Sequence, residues 1–333
     1  MILITGGAGY IGSNSVIEFL KNGYDVVIVD NLSTGHIQIV ERLKNTDFEG
    51  KIKDFFEIDL KNKNDLEKVF EKYDFEAVIH FAAASLVGES VKEPQKYYHN
   101  NVFGTLNLLD CIIKYKVKNL VFSSTAATYG NPISDLIDEN HVQKPINPYG
   151  NTKLAIEYMI KDYAHAYNFN YMIFRYFNVI GANKEVITGE WHDIETHLVP
   201  NILKADEEKV FSLFGDDYDT KDGTCVRDYI DVVDLARAHR LAFEYIKNGK
   251  SDIVNLGTKD GKTVKEIFNI CEKVLDKKIP LKICERREGD PAKLVANSAR
   301  SKEILNWENK TPLEESIKNA YRWEQERKKL WRV

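Results

Sequence analysis

An α/β fold, built on a doubly wound parallel sheet and carrying a smaller second lobe, is predicted by three observations. Short β-branched runs alternate with helix-length stretches through the first half of the chain. The first run passes through a glycine turn directly into a helical pattern, and the second ends in a carboxylate, Asp30. Length adds the second lobe, because 333 residues suit one large domain and a smaller one. We expect 1–178 to form the sheet domain, with segments from roughly 225–257 returning to its sheet, and 179–333 to form mainly the smaller α/β lobe.

Composition excludes several classes. Apolar residues make up 43% of the chain, and 46 Lys and Arg against 51 Asp and Glu leave a charge of −5. That balance offers no electrostatic case for nucleic acid as a partner. No apolar run reaches membrane-spanning length, and strand-like residues begin at Met1 without a signal-peptide layout, so no membrane partner and a cytoplasmic location are expected. Cys111, Cys225, Cys271 and Cys284 are scattered with no Cys-x-x-Cys pair, which favours reduced thiols. His165, His192 and His197 lack metal-motif spacing, and no metal is assigned.

Taken in order, residues 1–5 read as a strand that meets Gly6-Gly7-Ala8-Gly9-Tyr10-Ile11-Gly12, followed by a helix over 13–21. Gly6, Gly9 and Gly12 allow a tight turn, close backbone approach to a pyrophosphate and close helix-on-strand packing, with the phosphates at the helix N-terminus. Their spacing, Gly-x-x-Gly-x-x-Gly, departs from the general dinucleotide pattern. The strand over 25–30 places Asp30 eighteen residues beyond Gly12, the distance of an acid that holds the adenosine ribose in a Rossmann-type fold. Asp30 repels a 2′-phosphate and no arginine precedes Arg42, so NAD is favoured over NADP.

Strand 53–58, helix 64–73 and strand 76–81 continue the alternation. Asp59 falls at a strand's carboxyl end, within reach of an adenine amino group, and the small residues of Phe81-Ala82-Ala83 leave room for a flat cofactor. A long helix is expected over 94–115, and strand 119–125 delivers Ser123, Ser124 and Thr125 to the same sheet edge. A helix over 148–167 precedes strand 171–174. Beyond Gly181, helices are expected near 197–205, 232–248, 263–276 and 313–329, with strands near 210–214, 252–255 and 281–284. The basic end, Arg327-Lys328-Lys329-Leu330-Trp331-Arg332, complements a helix C-terminus.

The start of the 148–167 helix carries the chemistry. Asn147 suits the N-cap and Pro148 the first helical position. Tyr149 and Lys153, at i and i+4, share one face with Cβ atoms about 5–6 Å apart. An ammonium there favours ionisation of the phenol, which ordinarily titrates near pH ~10 and needs help to act as a base.

With the glycine turn, Asp30, the Ser123-Ser124-Thr125 strand end and Tyr149-x-x-x-Lys153 in this order, the sequence resembles the extended short-chain dehydrogenase/reductase family, and within it the members that epimerise UDP-sugars. The similarity runs through His80-Phe81-Ala82-Ala83, Val87-Gly88-Glu89-Ser90, Tyr97-Tyr98-His99-Asn100-Asn101, Arg175-Tyr176-Phe177-Asn178, Val226-Arg227-Asp228-Tyr229 and Arg286-Arg287-Glu288-Gly289-Asp290. The family's own glycine pattern is Gly-x-x-Gly-x-x-Gly, which accounts for the departure above.

The resemblance implies an isomerase that inverts C4 of a UDP-hexose, interconverting the gluco and galacto forms, with one NAD carried through a redox-neutral cycle. Tyr149 takes the O4 proton as a hydride leaves C4, and the 4-keto sugar swings about its diphosphate to receive the hydride on its other face. Lys153 supports the phenolate and the nicotinamide ribose, and Thr125 hydrogen-bonds O4. The implied cofactor residues are Gly6, Gly9, Tyr10, Ile11 and Gly12 at the turn, Asp30, Asn31 and Ser33 after the second strand, and Asp59 and Leu60 after the third. Phe81, Ala82, Ala83, Asn100, Ser123 and Phe177 complete that set with Tyr149 and Lys153. For the UDP-sugar the matching positions are Thr125, Asn178, His197, Leu198, Arg227, Arg287, Asp290 and Leu294, the two arginines being suited to a diphosphate. Phe211 and Phe214 border the base.

Three positions depart from the family. Ser85 stands where relatives often have a cofactor-contacting lysine, and His197 replaces a frequent asparagine. Leu294 stands where some members have a bulky tyrosine, leaving room for a 2-acetamido group, so UDP-N-acetylglucosamine is an alternative substrate; UDP-pentoses are a further alternative. Dehydratases of the family need an Asp-Glu pair after the strand-end threonine, and here Ala126-Ala127 follow. A non-catalytic NAD or sugar-nucleotide sensor is the alternative of a different class, opposed by retention of Thr125, Tyr149 and Lys153. The resemblance also implies a homodimer formed by the helices near 94–115 and 149–167.

Overall fold

Val-Val-Ile-Val-Asp and Ile-Leu-Ile-Thr are buried along their whole lengths, which requires a sheet covered on both faces. The computed structural model describes residues 1–46, 50–287 and 290–331. Glu288 and Gly289 of the Arg286-to-Asp290 motif, and Arg332 of the basic end, lie outside the described residues.

Six strands appear in the first half: β1 (Ile2–Thr5), β2 (Val26–Asp30), β3 (Ile52–Glu57), β4 (Ala77–His80), β5 (Asn119–Thr125) and β6 (Asn170–Tyr176). Eight follow: β7 (Asn178–Ile180), β8 (Phe211–Phe214), β9 (Val226–Arg227), β10 (Tyr229–Asp231), β11 (Asp252–Leu256), β12 (Lys262–Thr263), β13 (Leu281–Cys284) and β14 (Lys293–Leu294). The main sheet has seven parallel strands in the order β11-β6-β5-β4-β1-β2-β3. The order reverses between β1 and β4, and that is where such sheets open a crevice at their carboxyl ends. Of the 225–257 region, only β11 enters this sheet; β9 and β10 pair in small sheets with β12, β14 and β7. Their two or three residues are set by tertiary pairing rather than by a local apolar run.

The period of two sorts the core. Ile2, Ile4, Val26 and Ile28 face one layer, packed by α1 (Tyr10–Lys21) and by residues such as Leu235 and Ala242. Leu3, Val27 and Val29 face the other, with Leu66, Leu108, Ile112, Ile156 and Ile160. The second lobe has its own core of Val199, Ile202, Phe211, Leu213, Ile267 and Phe268.

The remaining helices are α2 (Ile37–Lys44), α3 (Lys63–Lys72), α4 (Val87–Lys92), α5 (Pro94–Tyr97), α6 (Gly104–Lys114), α7 (Pro148–Tyr167), α8 (Leu198–Leu203), α9 (Val232–Ile246), α10 (Val264–Leu275), α11 (Ala299–Leu305) and α12 (Leu313–Trp331). The single helix expected over 94–115 is instead α5 and α6 joined by a π-helical turn, Tyr98–Phe103. The widened turn lets Asn101 point inward: its Oδ1 accepts from the Ala84 N–H at 2.8 Å and its Nδ2 donates to Thr152 Oγ1 at 3.2 Å. π turns of this kind recur at functional sites.

Two buried imidazoles sit beneath the catalytic end of β5. His80 Nδ1 lies 2.7 Å from Thr5 Oγ1 and Nε2 lies 2.9 Å from Thr105 Oγ1, whose own proton goes to the Asn101 carbonyl. His80 therefore carries its proton on Nε2. Burial lowers His80 to about 3 and His239 to about 4. Each folded-state value lies below the ordinary imidazole value of 6.5, so the unfolded chain takes up protons first. Stability is complete above that value and falls as pH drops toward 4, by up to about 3 kcal/mol per imidazole. Denaturant unfolding at pH 7 and pH 5 is expected to show this loss, and a His239→Gln variant a shallower one; equal slopes in both proteins would contradict it.

Candidate active site

The crevice at the β1/β4 switch point encloses about 400 Å³. Gly6 adopts φ +73°, and a Cβ at Gly12 would lie 2.1 Å from the Gly6 carbonyl oxygen, so both positions require glycine. Gly9 caps α1 without any side-chain hydrogen bond, leaving the first N–H groups of a twelve-residue helix directed at the crevice. This is the geometry of a pyrophosphate cradle. Asp30 accepts from the Ala8 N–H at 3.0 Å and the Leu32 N–H at 2.9 Å, which fixes its carboxylate at the crevice edge, while burial raises its pKa. Asn31 donates to Asp59 Oδ2 at 3.1 Å, joining the ends of β2 and β3. Tyr10, Ile11, Ser33, Asp59, Leu60, Phe81, Ala82, Ala83, Asn100 and Phe177 line the same crevice.

At its other end stand Thr125, Tyr149 and Lys153. Asn147 Oδ1 accepts from the Gly150 N–H at 2.8 Å and Pro148 opens α7, so the local sequence starts the helix where expected. Burial pushes the Tyr149 phenol up to about 12, and a hydrogen bond with Thr125 draws it back. Burial brings the Lys153 ammonium down to about 7, with Glu157 acting in the opposite direction. Lys153 Nζ donates to the Ser123 carbonyl at 2.7 Å and lies 4.8 Å from the centre of the Phe122 ring. The i, i+4 spacing thus brings the pair to one crevice, with the ammonium anchored on β5 through the Ser123 carbonyl.

Ser123 corrects the sequence expectation in detail. Its side chain lies 2.9 Å from His239 Nε2, away from the crevice, and its carbonyl anchors Lys153. His239 Nδ1 is 2.9 Å from the Leu235 carbonyl and must donate there, so its Nε2 accepts from the serine hydroxyl.

A second cleft of about 390 Å³ adjoins the first, and Asn178, His197, Leu198 and Tyr229 line both. It contains Arg227, Arg287, Asp290, Phe211 and Phe214. Arg287 stacks over the Phe214 ring at 4.0 Å. Arg227 donates to the Pro291 carbonyl at 2.8 Å and pairs with Asp290 Oδ1 at 3.4 Å, which presents a braced guanidinium to the cleft. Leu294 lines neither cleft: it pairs with Arg227 along β9 and β14 and packs beside Phe177.

Sequence reading missed Tyr176, Ile180, Glu190, His192, Val199 and Pro200, all on the crevice wall. Most lie where the chain crosses from the sheet to the second lobe, and no local periodicity marks that crossing. His192 and His197 lack motif spacing, yet the fold brings them together with Glu190 and Glu195. Burial opposes charge on His197, but the two carboxylates beside it raise its pKa, and burial of Glu190 is outweighed by the two imidazoles, which draw its pKa down.

A glycine-lined dinucleotide crevice whose reacting end offers Thr125, Tyr149 and Lys153 defines an extended short-chain dehydrogenase/reductase. The family GDP-mannose 4,6 dehydratase matches residues 3–320. UDP-glucose 4-epimerase of Halalkalibacterium halodurans is 46% identical over 330 residues, covering 98% of this chain and 96% of its own. The crystal structure of UDP-glucose 4-epimerase from Brucella ovis in complex with NAD superposes with a TM-score of 0.89 at 43% identity, over 96% and 97% of the two chains. That from Bifidobacterium longum in complex with NAD+ and UDP gives 0.91 at 36% identity, over 98% of each. The chain belongs to the broadly drawn GDP-mannose 4,6 dehydratase family and, within it, to the UDP-glucose 4-epimerases. Ala126 and Ala127 form a 3-10 turn after Thr125 and carry no acid pair, in keeping with epimerase rather than dehydratase chemistry.

Proposed function

We propose that this chain interconverts UDP-glucose and UDP-galactose by inverting C4, with NAD held in the crevice between β1 and β4. The observation that carries the reading is adjacency: the cleft bearing Thr125 and Tyr149 shares Asn178, His197, Leu198 and Tyr229 with the cleft bearing Arg227 and Arg287. A sugar at the first and its nucleoside diphosphate at the second fit one extended ligand. The residues present also fit NAD, since Gly6 and Gly12 leave a cradle that a Cβ would fill and α1 turns uncapped N–H groups toward it. When bound, NAD takes the C4 hydride and returns it to the opposite face.

The chain's own residues do the rest. Tyr149 removes the proton from O4 and later returns it. Thr125 shares a hydrogen bond with that oxygen and with the phenol as charge moves between them. Lys153, braced by the Ser123 carbonyl, places a cation behind the phenol and toward the cofactor's ribose. Asp30 binds the adenosine ribose hydroxyls. Arg227 and Arg287 neutralise the diphosphate, and Asn178, His197 and Leu198 border the sugar.

By the same reading, 1–178 is the cofactor domain with β11 added, and 179–333 mainly binds substrate. Exposed Tyr98 and Phe103 on the π turn and Tyr158 and Tyr167 on α7 support a homodimer through those helices. Three cysteines are buried and all four are free, which supports a reducing, cytoplasmic setting. No described helix is long and apolar enough to cross a membrane. Incubating the purified protein with UDP-glucose, UDP-galactose, the UDP-N-acetylhexosamines and UDP-pentoses, without added NAD, tests the reading. Glucose–galactose interconversion is expected; absence of turnover with every sugar, even after NAD is supplied, would overturn it.

A further inference from the structure

The stretch Glu190-Trp191-His192-Asp193-Ile194-Glu195-Thr196-His197 gathers four ligand-type side chains that the epimerase chemistry does not use as a group. Glu190, His192, Glu195 and His197 each offer one donor atom, and all four atoms lie within 4.8 Å of one another. Glu190 Oε1 is 3.4 Å from His192 Nδ1 and also meets His197 Nδ1. Glu195 Oε1 is 3.6 Å from His197 Nδ1 and 4.0 Å from His192 Nδ1. Both glutamate side chains are buried, at 6% and 5% exposure.

A second observation points beyond an ordinary ion-pair network. Among the described residues, Glu190 Oε1, His192 Nδ1 and Glu195 Oε2 are buried atoms with no hydrogen-bond partner. Glu190 Oε1 nevertheless touches His197 Nδ1 as an ion pair, and Glu195 Oε1 accepts from the His197 N–H at 2.9 Å, so the atoms left without an aligned partner are His192 Nδ1 and Glu195 Oε2. Four ligand-type atoms gathered this closely, with His192 Nδ1 and Glu195 Oε2 lacking hydrogen bonds, are the donor set of a coordination shell once the His197 proton is displaced. Ligand bonds of about 2.0–2.1 Å arranged tetrahedrally set donor atoms about 3.3 Å apart; the separations here run from the Glu190–His197 contact through 3.4 and 3.6 to 4.0 Å, so small side-chain rotations bring the four onto one ion.

We propose that Glu190, His192, Glu195 and His197 bind one divalent transition-metal ion, for which Zn²⁺ is the best match. Two carboxylates and two neutral imidazoles neutralise a doubly charged cation, and the imidazoles select against Mg²⁺ and Ca²⁺. The backbone is already fixed around the site. Trp323 Nε1 donates to the Glu190 carbonyl at 2.9 Å, and Asn201 Nδ2 donates to the carbonyls of Glu195 at 3.3 Å and His197 at 2.9 Å. Lys204 Nζ stands 3.5 Å from Glu195 Oε2, as an outer partner of that ligand. With all ligands inside eight residues, closing the loop costs little entropy. Because Glu190, His192 and His197 line the cofactor crevice and His197 also lines the second cleft, the ion would pin the wall the two share.

The test is metal binding by the untagged full chain, purified without chelator, and needs no activity. Elemental analysis is expected to find about one zinc per chain. After chelation, Zn²⁺ is expected to compete with a chromophoric chelator at micromolar concentration, and Co²⁺ to give visible ligand-field bands. His192→Ala and Glu195→Gln are each expected to weaken Zn²⁺ by more than ~100-fold, since outer partners alone are worth ~10–100-fold. A wild-type chain that takes up neither metal stoichiometrically overturns the proposal and leaves a proton-bridged Glu–His cluster. Wild-type affinity in both variants overturns it equally, by placing the metal elsewhere.

Discussion

Tyr149→Phe is expected to slow C4 inversion by about 10²–10⁴-fold, the range that removal of a positioned acid–base group produces. The ring, its edge-to-face contact with Tyr97 at 6.4 Å, and the Asn147 cap of α7 all survive the change. Only the phenolic oxygen is lost. That oxygen stands at the reacting end of the crevice and hydrogen-bonds Thr125, placed to take a proton from O4 and give it back, while Thr125 Oγ1 accepts from the Ala127 N–H at 3.1 Å. Burial holds the phenol near 12, so in the ligand-free chain it is protonated at neutral pH. Ionisation calls for added positive charge, which a bound nicotinamide would supply. The check is turnover by product separation together with a thermal melt. Parent-rate turnover in a folded variant would falsify the role of Tyr149.

The second large effect lies one layer below. Arg175→Met is expected to cost about 3–5 kcal/mol of stability, because it strands a buried carboxylate. Glu157 and Arg175 have side-chain exposures of 0% and 2%. Arg175 donates from Nε at 3.0 Å and from an Nη at 2.6 Å to the two Glu157 oxygens, and its other Nη reaches Tyr129 Oη at 3.0 Å. Ser124 donates to the same carboxylate at 2.5 Å. Glu157 sits one turn beyond Lys153 on α7, so the pair also shields the ammonium from an unbalanced anion. Denaturant midpoints measure the cost. A double variant, Arg175→Met with Glu157→Leu, is expected to recover part of it, and a single variant as stable as the parent would contradict the assignment.

What the sequence disclosed, and what it hid, follows from where each signal is stored. The β1–glycine–α1 unit and α7 are written locally: a β-branched run, a spacing only glycine can satisfy, and a cap followed by proline. They emerged at nearly their observed bounds. By contrast α4 and α11 have six and seven residues, too few for a periodicity to stand out, and the lobe's paired strands of two or three residues exist only because partners meet them. Tyr149 and Lys153 were readable because one helix turn fixes their separation, but the direction of the lysine was not, because the Ser123 carbonyl that captures it is thirty residues away. Leu294 was expected beside the sugar; the strand register sets it beside Arg227 of the second cleft, and it packs on the cluster that holds the crevice residue Phe177. Glu190 and Glu195 were unreadable as partners of His192 and His197, since their convergence depends on how 190–197 bends between the two clefts.

The entry of β11 at the sheet's edge, beside β6, bears on how the chain is made. Synthesis completes β6 at Tyr176, but the strand that closes its flank emerges only with Asp252–Leu256. For the intervening seventy-odd residues the nascent sheet presents an unpaired, parallel-directed edge, next to an apolar face awaiting α9. Such an edge recruits foreign strands. The chain cannot be matured one lobe after the other, because the first acquires its last strand only after much of the second has left the ribosome.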